Sequence, residues 1–71
     1  MSTKYNYQMG ITHLNKNHLN EAEDYFTKVC DDPVYKIKAL KHLVTIAQRK
    51  GRYDVARDLL DSVQNQKRKI N

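Results

Sequence analysis

The side chains able to do chemistry are few, and their spacing does not assemble them. His13, His18 and His42 are scattered with no carboxylate or cysteine at ligand spacing, so each reads as a packing or surface residue rather than a metal ligand. The single cysteine, Cys30, permits no intramolecular disulfide and reads as core filler beside Val29. Asp31 and Asp32 next to it would raise its pKa and blunt any nucleophilic use. There is no nucleophile–base–acid set and no glycine-rich phosphate loop. The expectation is a protein that is no enzyme and takes neither metal nor cofactor.

The chain has 71 residues, of which 39% are hydrophobic, and it carries 13 Lys plus Arg against 8 Asp plus Glu. That describes one small basic domain with a thin core, close to the size where burial barely exceeds the entropy lost on folding. Neither an apolar leader nor a run of about 20 apolar residues is present, so a cytoplasmic protein is expected. Apolar residues fall at three- and four-residue steps, and only two glycines and one proline interrupt them. The chain is therefore expected to be all-α, with four helices in two antiparallel hairpins.

The first helix should run from about 4 to 15, ending in the polar turn Asn15-Lys16-Asn17-His18, with Tyr5, Met9 and Leu14 among its apolar residues. Asn20 and Glu23 stand at capping-box spacing and predict the start of a second helix, whose inner face holds Ala22, Tyr25, Phe26 and Val29. Asp32 and Pro33 predict the cap and first position of a third helix burying Ile37, Leu40, Leu43, Val44 and Ala47, closed by Gly51. The fourth, about 53 to 66, should bury Tyr53, Ala56, Leu59, Leu60 and Val63, leaving residues 67–71 as a basic tail.

An internal repeat underlies this order. Ala22 and Ala56 are 34 residues apart, and the same offset pairs Met9 with Leu43, Leu19 with Tyr53, Phe26 with Leu60 and Val29 with Val63. The chain resembles the tetratricopeptide repeat family in that period and in its Ala-x-x-x-Phe and Gly-x-Tyr-x-x-Ala signals. Repeat one would cover about 4–33 and repeat two about 34–66, as a short TPR-like α-solenoid. The resemblance implies a concave surface formed by the first helix of each repeat. It places Tyr7, Ile11, Leu14 and Asn15 there from repeat one, and Lys38, Lys41, Thr45, Gln48 and Arg49 from repeat two. It also singles out Asn6, since family members that grip a peptide main chain use an asparagine in the first helix.

Charge supports a protein-binding role. Residues 1–33 hold three Lys against five acids, while residues 34–71 hold ten Lys plus Arg against three Asp, so the halves carry −2 and +7. The expectation is a regulatory adaptor or inhibitor that binds an acidic peptide segment or helical partner. Leu59, Val63 and Ile70 would form an apolar flank on the last hairpin, inviting homodimerisation or docking onto a larger helical protein. The alternative is a small nucleic-acid-binding or transcription-regulating protein, motivated by a pI near 9.5 and the Lys67-Arg68-Lys69 tail.

Overall fold

The computed structural model describes residues 2–67, which form α1 (Thr3–Asn15), α2 (Leu19–Val29), α3 (Lys36–Arg49) and α4 (Tyr53–Lys67), with no strand among the described residues. Each hairpin packs on itself, α1 with α2 and α3 with α4, and α2 lies against α3, so the two hairpins stack in chain order. No helix among the described residues is long and apolar enough to cross a membrane. The basic segment from 68 onward, Ile70 included, lies outside the described residues.

The two hairpin turns are copies of one another. After α1, Asn17 donates its amide to the Leu14 carbonyl and His18 donates to His13; after α3, Gly51 donates to Gln48 and Arg52 to Ala47. This is the Schellman pattern, which needs a left-handed residue just past the helix end. Asn17 and Gly51 supply it with φ of 61° and 77°. Every one of these positions is offset by 34, so the repeat read from side chains is also a repeat of backbone geometry.

Two expected helix starts are corrected. α2 begins at Leu19 with His18 before it, and no side chain caps it. The Schellman turn fixes that entry, which puts Asn20 inside the first turn, where it cannot serve as the cap. α3 begins at Lys36 rather than at Pro33. Asp32 does accept a backbone bond, from the Val34 amide at 2.8 Å, but this closes a local turn in residues 31–35 instead of opening the helix.

The core explains why α3 is the most buried element. Ala39, Leu40, Leu43, Val44, Ile46 and Ala47 are all buried, because the helix is flanked by α2 on one side and α4 on the other. One cluster joins Leu14, Ala22, Phe26 and Val29 to Ala39, Leu40, Leu43, Ile46 and Val63; a smaller one joins Val44, Ala47 and Ala56, with Leu59 packed against both. The single expected stripe on α3 omitted Ala39 and Ile46, which join the main cluster with Leu14, Ala22, Phe26 and Val29. On α4, Ala56 and Val63 are buried, but Tyr53 and Leu60 are 70% and 45% exposed, contrary to expectation. They lie on the side of α4 that no described helix covers. Tyr5, counted among the apolar residues of the first helix, is also exposed.

Candidate protein-binding surface

The surface shared by α1 and α3 is floored by aromatic rings. Tyr7 from α1 sets its ring edge-on to Phe26 at 5.8 Å and lies 5.2 Å from Tyr35, while His42 from α3 stacks on Phe26 at 4.8 Å. The Tyr7 hydroxyl and His42 Nε2 share a hydrogen bond of 3.0 Å, which ties the first helix of one hairpin to the first helix of the other. Tyr7 is therefore half-buried and committed to this floor.

Burial holds the His42 pKa below its ordinary value of 6.5. A neutral ring suits its place between Phe26 and Tyr7. Since the unfolded chain binds that proton more readily, the stabilisation is present in full above about pH 6.5 and is lost as pH falls toward the folded pKa. The melting temperature should drop between pH 7.5 and pH 5.5, and His42→Gln should flatten that slope; thermal melts at the two pH values check it. An unchanged slope in the variant would remove His42 as the cause.

Along the solvent side of α3, Lys38, Lys41, Thr45 and Arg49 follow at three- and four-residue steps and so share a face. Lys38 Nζ sits 6.0 Å over the Tyr35 ring, and the Thr45 hydroxyl donates to the Lys41 carbonyl. Arg49 reaches across to the Asn17 side chain at 3.5 Å, a second link between the hairpins. Lys38, Lys41 and Arg49 are exposed and Thr45 is half-buried.

The remaining expected residues are divided. Asn6 and Ile11 are half-buried, Ile11 packing against the main cluster, and Asn15 is exposed. Leu14 is a member of the core, not of an open surface, since α3 closes over it. Gln48 turns away from the basic row to line a groove between α3 and α4. Val63 is 4% exposed and belongs to the chain's own core, so the apolar flank is made instead by Tyr53 and Leu60, with Leu59 half-buried beneath.

One polar contact was hidden from sequence reasoning. Lys50, at the end of α3, donates to Glu23 Oε1 at 2.9 Å and also to the Asn20 side chain. The pair assigned to a capping box thus clamps the next hairpin. The available signal was that Asn20 and Glu23 flank Ala22, the small residue at the helix contact.

The other reactive groups stay dispersed or passive. His13 and His18 approach with their Nδ1 atoms 3.4 Å apart, and His13 stacks on Tyr25. Among the described residues no group of three or more His, Cys, Asp or Glu could hold a metal ion. Burial raises the Cys30 thiol pKa, with Asp31 adding to the rise and Lys36 opposing it. Comparison of the chain with protein-family models, curated proteins and solved structures finds no match.

Proposed function

We propose that this chain is a non-catalytic protein-binding module of the tetratricopeptide kind, a cytoplasmic adaptor or inhibitor that holds an acidic peptide segment along α3. The observation that carries this reading is the exposed row of Lys38, Lys41 and Arg49 beside the Tyr7–Tyr35–His42 floor. Long-range attraction from the cations would bring in carboxylates and set their register, while the aromatic floor offers rigid apolar area to a side chain between them. Fixed positive charge and an amphipathic floor suit an extended acidic ligand better than a reaction.

A fluorescently labelled peptide alternating glutamate with leucine tests the reading. The native chain should bind it, and the double variant Lys38→Glu/Lys41→Glu should bind about tenfold more weakly with an unchanged far-UV circular dichroism spectrum. Equal binding by both proteins would discard the assigned face. Duplex DNA titrated at two salt concentrations addresses the nucleic-acid alternative: weak attraction lost at the higher salt is what basic charge alone gives, whereas tight, specific binding that survives it would defeat the adaptor reading.

A further inference from the structure

The correspondence between the hairpins indicates what the outer end of the stack is shaped to meet. A groove of about 220 Å³ between α3 and α4 is lined by Val44, Gln48, Tyr53, Ala56, Arg57 and Leu60. Stepping back 34 residues from each gives Gly10, Leu14, Leu19, Ala22, Glu23 and Phe26. Most of those positions carry α3: Leu14, Ala22 and Phe26 share one buried cluster with Leu40, Leu43 and Ile46, Leu19 packs against it, and Gly10 lies against the Phe26 ring. The two grooves are thus the same cradle built twice. The first holds a helix, and the second has none of the described residues over it.

Charge distinguishes the two. In the first cradle Glu23 receives Lys50 from the helix that fills it. In the second the corresponding residue is Arg57, of opposite sign and exposed. A second copy stacking head to tail would offer α1, where Ala39 and Leu43 have the apolar counterparts Tyr5 and Met9, but Leu40, Ile46 and Lys50 have the counterparts Asn6, Thr12 and Lys16. Asn6 and Thr12 would then enter an apolar groove at two of the four docking positions, and Lys16 would face Arg57.

We propose that the α3–α4 groove docks an amphipathic helix of a different protein. That helix carries apolar residues with the spacing of Ala39, Leu40, Leu43 and Ile46, and an acidic residue four positions after the last of them, where α3 has Lys50. The surface is separate from the basic row on α3, so the two bindings stand or fall independently.

The probe is a synthetic peptide copying residues 36–50, prepared with the native lysine at its end and as its Lys50→Glu form. Binding is followed by amide NMR of the full chain. The Lys50→Glu peptide should shift the resonances of Val44, Gln48, Ala56, Arg57 and Leu60 and bind roughly fivefold tighter than the native peptide. Arg57→Glu in the protein should invert that order. Leu60→Asp should abolish binding while keeping the helical spectrum, since Leu60 is already half in solvent. Lys38→Glu/Lys41→Glu should leave the preference intact. Absence of shifts at the groove, or equal affinity for the two peptides, would overturn the proposal. So would a dimer in light scattering that Leu60→Asp converts to monomer, which would give the groove to a second copy.

Discussion

Phe26→Ala should strip away most of the chain's stability while leaving a measurable unfolding transition. Phe26 has no exposed surface and is held on three sides, by Tyr7, by His42 and by the backbone of α1 at Gly10. Removing such a ring costs about 3–5 kcal/mol, against a total stability on the order of 5 kcal/mol for a chain of this size. Far-UV circular dichroism should record a fall of about 20 °C or more in Tm. Gly10 refines the test, because a Cβ there would sit 2.8 Å from two atoms of the Phe26 ring. That ring cannot retreat between its neighbours. Gly10→Ala should therefore cost about 1 kcal/mol in the native chain, as overpacking outweighs the gain in helix propensity. In the Phe26→Ala background the same change should stabilise by a similar amount, since the clash is gone. Additive effects in the cycle would refute close packing at this crossing.

Ala22→Asp should remove most of the chain's stability, and Ala56→Asp should cost less. Both alanines occupy the same repeat position, but Ala22 lies under α3 with no exposed surface, whereas Ala56 lines the open groove at 6% exposure. A carboxylate at Ala22 would be stranded in the main core, where the nearby Lys50 is already committed to Glu23 and Asn20, at a cost of about 3–5 kcal/mol. At Ala56 the new carboxylate can lean into the groove toward water and Arg57. Urea titrations of the two variants measure the difference; equal loss at both positions would contradict the asymmetry between the cradles.

Much of the architecture was legible because it rests on local signals. The 34-residue offset appears in side-chain type, and the turn at Asn17 and Gly51 follows from residues that tolerate positive φ. What was not legible depends on which neighbour a helix meets. Ile46 and Ala39 are buried because α3 has a helix on each side, and Leu60 and Tyr53 are exposed because α4 has one on only one side. Periodicity alone gives an apolar face and cannot count its partners. The surface residues divide the same way. Lys38, Lys41, Thr45 and Arg49 were readable as one outward row, but Tyr7 and Leu14 were drawn inward by His42 and by α3, contacts between distant parts of the chain. The move of Asn20 and Glu23 from a cap to the Lys50 clamp has the same origin.

The double burial of α3 also limits how this molecule can change over generations. Six of its fourteen residues are buried, four in the cluster shared with the first hairpin and two against Ala56 of α4, so substitutions along this one helix reach both hairpins. Along that helix, variation that alters recognition without loss of the fold is left to the outward positions, a handful of side chains through which one ancestor could give rise to descendants with different tastes.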